Sequence, residues 1–332
     1  MLANHSLQSA NECLTNFKTV PLVETLDLTV VIPTYNGAER LPAVLSRLQK
    51  QVVPRYQRWE ILIVDNNSQD HAAEVIQQWQ RSWTLAIPLR LVFEPRQGVT
   101  FARQCGVSHA RGRLVGFLDD DNWPTPGWVT TAIEFGKRHP DVGAFNGRVR
   151  GVFETPPSEP VEAILGHLAI RDHGPHPHPF QSQALQLPAG AGLVIRRQAW
   201  LDSLPEIPRC TDRGGNDYEI SLHLARQGWA IWYTPQLQIE HFIPTERLQR
   251  SYLRSLTHLH GLRTCELTLM TAQPWQYPLR LGRALAGSLH RILKHLLQHR
   301  FRSRATLEAD CLLAFHLGNL KSPFVYLFRH WF

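Results

Sequence analysis

The sequence predicts an α/β protein built on an open, largely parallel sheet, and three observations carry that expectation. Between about residues 27 and 119, short β-branched runs alternate with amphipathic stretches, the pattern of strand and crossover helix. The first run, LTVVIP, reads as a buried strand. Two later runs end in acidic residues, in VDNNSQD and FLDDDNWP, at the carboxyl ends of strands where open α/β sheets bind ligands.

Each element follows in turn. Residues 28–33 form the first strand, and residues 38–50, with Leu41, Val44, Leu45 and Leu48 on one face, form a helix. Strands are expected at 60–65, 89–94 and 113–119, with helices at 70–81 and 99–110 between them. Beyond Asp121, AFNGRVRGVF is a further strand, and a Pro- and His-rich stretch follows over 154–188. A loop of that length inside a compact domain is functional or disordered. Its His173, His176 and His178 stand among prolines, which favours a solvated loop or lid over a metal cluster. Regular structure returns with GAGLVIRR at 190–197, a helix at 217–227 and two short strand pieces, AIWYT and LQIEH.

From Leu248 the chain reads as mostly helical. Over 281–304, Leu281, Leu285, Leu289, Ile292, Leu293 and Leu296 mark an apolar face, and Arg283, Arg291, Lys294, Arg300, Arg302 and Arg304 add positive charge. Such a helix either lies in an anionic membrane interface or packs on the domain with a solvated basic side. The expected organisation is an N-terminal extension (1–26), a domain at 27–247 with halves 27–122 and 123–247, and a helical, basic region at 248–332.

Composition bounds the function. With 43% hydrophobic and 19% charged residues in 332, the chain is an ordinary folded protein with a core, not a disordered or fibrous one. Lys and Arg outnumber Asp and Glu by 35 to 28, a net +7, which favours partners bearing phosphate or other anions without choosing among them. The 5 cysteines are scattered, with no CxxC spacing, so neither a disulfide framework nor a zinc site is indicated. The N-terminus lacks the apolar stretch of a signal peptide, and no run of about 18 apolar residues occurs. The expected location is the cytoplasm.

The richest segment is FLDDDNWP. Three adjacent carboxylates after a buried strand are costly unless a cation sits there, and a divalent metal bridging carboxylates to a diphosphate answers that need. In an extended segment Asp119 and Asp121 would share one side, with Asp120 opposite. An acidic turn capping the next helix, near Pro126, accounts for one Asp but not three. Asp65, ahead of the turn-forming Asn66, Asn67 and Ser68, is free for a ligand. Pro33, Tyr35 and Asn36 after the first strand offer stacking and hydrogen bonds, and Arg103 offers a cation for a base edge or phosphate. In GGNDYEISLHLARQGW, paired glycines precede Asp217 at a helix start, where it is either a cap or a general base. His241, in IEHFIPTERL, is either structural or a metal ligand.

Together and in order, VVIPTYN, the Asp of VDNNSQD, GVTFARQCGVSHARGRLVGFLDDDN, GAG, the Asp of GGNDYE and the His of EHFIP resemble family 2 glycosyltransferases. The resemblance covers residues 28–247. It implies the GT-A fold, a mixed central sheet flanked by helices with a helical C-terminal extension here. It also implies an inverting transferase that uses a nucleotide-sugar donor, often uridine-linked, and a divalent metal, Mg²⁺ or Mn²⁺. The acceptor would be a saccharide or lipid-linked sugar of cell-surface polysaccharide assembly. No nucleic acid is expected, and the membrane reading of the helix at 281–304 adds an anionic membrane surface as a further partner. By the same resemblance Pro33, Tyr35, Asn36, Asp65, Arg103, Asp119 and Asp120 would surround the donor, Asp119, Asp121 and His241 would hold the metal, and Asp217 would be the catalytic base. Gln104, Asn122 and Asn216 depart from the usual residues, and no QxxRW of processive synthases is present.

Other classes remain open on narrower grounds. A dinucleotide oxidoreductase needs a G-x-G-x-x-G after the first strand, where VIPTYNG stands. A sugar-nucleotidyltransferase shares the architecture and the metal but lacks its usual Gly-rich, basic opening loop here. A noncatalytic nucleotide- or carbohydrate-binding module would predict damage to DDD or Asp217, and both are intact.

Overall fold

The computed structural model describes residues 26–205, 216–299 and 306–331. The expected N-terminal extension to residue 25, Gly214 and Gly215, and Arg300, Arg302 and Arg304 lie outside the described residues.

Strand β1 (Leu26–Thr34) is buried from Leu28 onward, because it pairs in parallel on both edges. One neighbour is β2 (Trp59–Asp65) and the other β4 (Gly112–Phe117), so that Val31 lies between Leu62 and Phe117. Strand β3 (Leu89–Phe93) extends the parallel half beyond β2. The second half is mixed. It contains β5 (Asn122–Pro124), β6 (Val142–Phe153), β7 (His178–Pro179), β8 (Val194–Arg196) and β9 (Ala230–Ile243). Among the described residues all nine strands form one sheet in the order β3-β2-β1-β4-β8-β6-β9-β5, with β7 on β9. The sheet changes from parallel to antiparallel pairing where β8 meets β4.

Helices cover both faces. Leu41, Val44, Leu45 and Leu48 of α1 (Leu41–Gln49) join Ile76 of α2 (Ala72–Ser82) and Trp128 and Ile133 of α4 (Trp128–Arg138) in one core. On the other face, Ala102 and Cys105 of α3 (Val99–His109) pack with Trp200 of α5 (Arg197–Ser203) and Ile220 and Leu224 of α6 (Asn216–Arg226). Each helix buries an apolar stripe, about 25 cal/mol per Å² of apolar surface removed from water.

The second half departs from the sequence expectation at several points. AIWYT and LQIEH are not separate pieces but one strand, β9. The break at Pro235 is a bulge where the register against β6 passes from Tyr233 at Asn146 to Gln238 at Arg148. GAGLVIRR contributes only Val194–Arg196 as strand. The helix expected near Pro126 begins at Trp128. The His-rich stretch is solvated along much of its length, with His173 and His176 exposed, but it is tied down at one point. His178 pairs with Tyr233 across β7 and β9, and His173 packs edge-on against Phe180 and Tyr233, with ring centroids 5.1 and 5.2 Å apart.

The C-terminal region is helical as expected, with α7 (Arg250–Met270), α8 (Tyr277–His299) and α9 (Leu307–Trp331). A third apolar cluster ties α7 and α9 to the domain through Leu253, Leu307 and Cys311, packed with Ile164, Leu168 and Ile243. The apolar face expected on α8 is split. Ile292 turns inward with Ser288 and His295, whereas Leu289, Leu293, Leu296 and Leu297 stay exposed beside Arg283, Arg291 and Lys294. Among the described residues no helix is long and apolar enough to cross a membrane.

Candidate active site

The site forms at the carboxyl ends of β1, β2 and β4. Parallel register sets Thr34 beside Asp65, and the strands end next to the change in sheet direction, the position at which open α/β sheets bind ligands. Asp119, Asp120 and Asp121 do not continue β4 as an extended segment. They form a tight turn into β5, closed by the Asn122 N–H donating to the Asp119 carbonyl at 2.9 Å. The turn aims the three side chains in three directions, so Asp119 and Asp121 do not share a side.

Each carboxylate meets its own arginine, as buried like charges require. Arg103 Nη2 lies 3.3 Å from Asp119 Oδ1, Arg40 Nε 2.7 Å from Asp120 Oδ1, and Arg247 Nη1 2.9 Å from Asp121 Oδ2. The Thr34 hydroxyl also donates to Asp120, at 2.7 Å. Burial pushes the Asp120 carboxyl above its usual range despite Arg40. At Asp121 burial acts in the same direction, but His241 and Arg247 outweigh it and hold the carboxyl at about 2.

His241 is placed by the sheet. Antiparallel pairing sets it opposite Asn122, and its Nδ1 is 2.9 Å from the Leu168 carbonyl oxygen. A carbonyl only accepts, so Nδ1 carries a proton, and Nε2 is the ring nitrogen turned toward the site. That nitrogen lies 3.5 Å from Asp121 Oδ2 and 3.4 Å from Arg247 Nη1. The Asp121 carboxylate, the Arg247 guanidinium and the His241 Nε2 atom thus form one cluster.

Arg103 links the two halves of the site. It is buried on α3, over the Phe117 ring, with Asp119 on one side and Asp217 on the other. Burial works against its charge, but the two carboxylates prevail and raise its pKa. Its terminal nitrogens donate to Asp119, Asp217 and the Asn216 amide oxygen. Asp217 accepts from Arg103 through Oδ1 and from the Gly190 N–H at 2.9 Å through Oδ2. A side chain at Gly190 would sit on that carboxylate, so the GAG segment allows its approach. Glu219, two residues on, is 3% exposed, facing His223 at 3.7 Å.

The remaining expected residues divide. Asn36, in the left-handed region at φ 49°, accepts from the Gln69 N–H at 2.8 Å and its own N–H donates to Ser68 Oγ at 3.0 Å. It staples the loop after β1 to the loop after β2. Asp65 accepts from the Ser68 N–H at 3.1 Å. The Tyr35 ring is 42% exposed and free to stack, whereas Pro33 is buried within β1. Sequence reasoning missed Arg40, Arg247 and the role of Gly190. Nothing in GAER or PTERL sets those arginines apart from surface charges.

Residues 29–192 match the family model described as glycosyl transferase family 2. The chain carries a family 2 glycosyltransferase domain. Among curated relatives, the glycosyltransferase AglE of Haloferax volcanii is 33% identical over 107 residues, which cover 32% of this chain and 34% of AglE. The succinoglycan biosynthesis protein ExoM of Rhizobium meliloti is 23% identical over 300 residues, covering 87% of this chain and 93% of ExoM. The chain spans about a third to a half of the length of the first curated relatives it matches. Among solved structures, the mannosyltransferase PcManGT from Pyrobaculum calidifontis, in complex with GDP-Man and Mn²⁺, superposes with a TM-score of 0.61 at 16% identity, covering 97% of this chain and 94% of that one. That likeness shows the fold, which is GT-A.

Proposed function

We propose that this chain is an inverting glycosyltransferase that moves a sugar from a nucleoside-diphosphate donor to a saccharide or lipid-linked acceptor of a cell-surface polysaccharide. The observation that carries this reading is the Arg103 bridge. One buried guanidinium holds Asp119, on the donor side, and Asp217, at the mouth of a separate cavity, within a single side chain's reach. A displacement needs its leaving group and its proton acceptor on opposite sides of one reacting carbon, at close quarters.

In this reading Tyr35, Asn36 and Asp65 border the nucleotide. Asp217 takes the proton of the acceptor hydroxyl as its oxygen bonds to the anomeric carbon and the bond from that carbon to the diphosphate oxygen breaks. One displacement gives one inversion, with no covalent sugar intermediate. Asp121 and His241 fit a divalent metal. A carboxylate oxygen and an imidazole nitrogen, both groups that ligate divalent metals, already face each other at 3.5 Å, the ring fixed from behind by the Leu168 carbonyl. Among the described residues no three such side chains converge, since Asp119 is turned to Arg103 and Arg247 occupies the gap. Bound there, the cation supplies charge neutralisation for the departing diphosphate. Arg247 is the cation that would give way.

We also propose that the enzyme works at the membrane surface, on the cytoplasmic side; the surface contact is supported by α8, which exposes Leu289, Leu293, Leu296 and Leu297 as well as Arg283, Arg291 and Lys294. The reaction class is tested by incubating the protein with UDP-, GDP- and TDP-sugars and Mn²⁺. Transfer or donor hydrolysis releases a nucleoside diphosphate. A parallel incubation with nucleoside triphosphates and sugar 1-phosphates reads the alternative: release of pyrophosphate there would mean nucleotidyl transfer, and release of neither product in either incubation would mean a binding module.

A further inference from the structure

A cavity of about 500 Å³ opens beside Asp217, within the ~300–1,000 Å³ of small-molecule sites. Its far walls come from the 3₁₀ segment Glu162–Leu168, from α7 and from α9. The two C-terminal helices lie beyond the residues that match the family model.

Across this cavity His167 and His260 stack, with ring centroids 5.1 Å apart and their Nδ1 atoms at 2.8 Å. Two nitrogens at that distance share one proton. One ring therefore donates from Nδ1 and keeps an Nε2 lone pair, while the other accepts at Nδ1 and carries its proton on Nε2. The pair presents one acceptor and one donor. Burial, and then the neighbouring charges, lower both pKa values, His167 to about 4, so at neutral pH the rings stay in this state. Arg171 supplies the fixed cation nearby. It lies over the Tyr218 ring at 5.6 Å, and its Nε is buried with no hydrogen-bond partner. Phe315 closes the other side against His167 at 5.3 Å. Aromatic faces together with a paired donor and acceptor are what a pyranose requires, with its C–H faces and neighbouring hydroxyls.

We infer that this cavity is the acceptor site and binds a saccharide, with the His167–His260 pair fixing hydroxyls of the acceptor sugar so that another hydroxyl meets Asp217. The inference rests on the transfer reading above and adds to it the acceptor's place and class. His167 and His260 are then specificity residues, and the C-terminal helices are part of the substrate site.

The test uses the full chain, histidine-labelled, with the His167 and His260 ring signals assigned by NMR through His167→Gln and His260→Gln. The probes are methyl glycosides of glucose, galactose, mannose and N-acetylglucosamine at millimolar concentration. At least one should move both ring signals. Gly166 lines the cavity, and an added Cβ there meets nothing within 4 Å, so Gly166→Phe fills the space without a backbone clash. It should abolish the response while leaving nucleotide-sugar affinity unchanged. His260→Phe, which removes the donor–acceptor pair, should weaken glycoside binding about tenfold or more, and His260→Gln should restore part of it. Rings that ignore every glycoside, or that respond equally in Gly166→Phe, overturn the inference. If nucleoside diphosphate is still released in that case, only the cavity assignment fails. If no donor binds or is turned over, the transfer reading fails as well.

Discussion

Replacing Asp217 with Asn separates the structural role of this carboxylate from the catalytic role proposed for it. As a structural group, Asp217 accepts from two donors, Arg103 and the Gly190 N–H. Asn has a single side-chain oxygen, so one donor loses its acceptor. A charge-assisted hydrogen bond is worth about 1.5–3 kcal/mol, and the Asp217 side chain is 32% exposed, which puts the expected loss at the low end, about 1–2 kcal/mol. Arg103 keeps Asp119 at 3.3 Å. The melting temperature should fall by only a few degrees. As a chemical group, Asp217 is the proposed base, the one carboxylate among the described residues that line the cavity, and losing a general base costs ~10²–10⁴-fold in turnover, or about 3–5 kcal/mol of barrier. Nucleoside diphosphate release with donor and acceptor, measured at a temperature where both proteins are folded, reads the second loss without the first. Donor affinity should not change, because the proposed nucleotide contacts, Tyr35, Asn36 and Asp65, do not include Asp217. Glu219→Gln gives the opposite pattern, since Glu219 is buried against His223 and away from the cavity: a lower melting temperature with turnover kept. An Asp217→Asn enzyme with wild-type turnover would refute the assignment of the base.

Other outcomes follow from the same geometry. Gly190→Ala sets a methyl group on the Asp217 carboxylate, and a displacement on the order of 1 Å should cost roughly 10²-fold in turnover; unchanged kinetics would mean that the carboxylate is not held where the chemistry needs it. Mn²⁺ with a nucleoside diphosphate should raise the melting temperature of the wild type and not of Asp121→Ala, and full activity in excess EDTA would remove the metal from the proposal. His167 is held at about 4 against an ordinary 6.5, so the unfolded chain binds the extra proton between those values. Its stability contribution is complete above pH 6.5 and declines as pH falls toward 4, by at most about 3 kcal/mol; His167→Phe should flatten that part of the pH profile of stability. Leu293→Glu with Leu297→Glu should release the protein from anionic vesicles without altering its melting temperature, and binding that survives both changes would move the membrane contact away from α8.

The parallel half of the sheet was legible because its signals are local. Runs such as LTVVIP and EILIVD are buried on both faces, and the helices between them carry stripes that one sheet face demands. The mixed half was less legible because its strands depend on distant partners. Pro235 reads as the end of a strand, but β6 holds the chain on both sides of it, so the bulge is absorbed into one ladder. The site shows the same division. Asp119, Asp120, Asp121, Asp217 and His241 stand in recognisable motifs. The fold sets the three aspartates in the turn after β4 beside His241 of β9, and Asp217 reaches them from the start of α6 through Arg103. Arg40 and Arg247 carry no local mark. Each acquires meaning only when folding buries a carboxylate that has to be neutralised.

Helix α8 illustrates why a one-dimensional stripe leaves two readings open. Membrane binding and packing looked like alternatives because both use the apolar side of a basic helix. In three dimensions the side is wide enough for both. Ile292, with Ser288 and His295 one turn to either side, is buried, and Leu289, Leu293, Leu296 and Leu297 remain in solvent at the next positions around the helix. The packed edge fixes α8 beside α9, and α9 with α7 closes the cavity that faces Asp217. A lipid-linked acceptor would make the two features work together. Its tail would stay in the bilayer under the exposed leucines while its sugar entered a cavity walled by the same helical unit, so that docking at the surface and presenting a hydroxyl to the base become one geometric event.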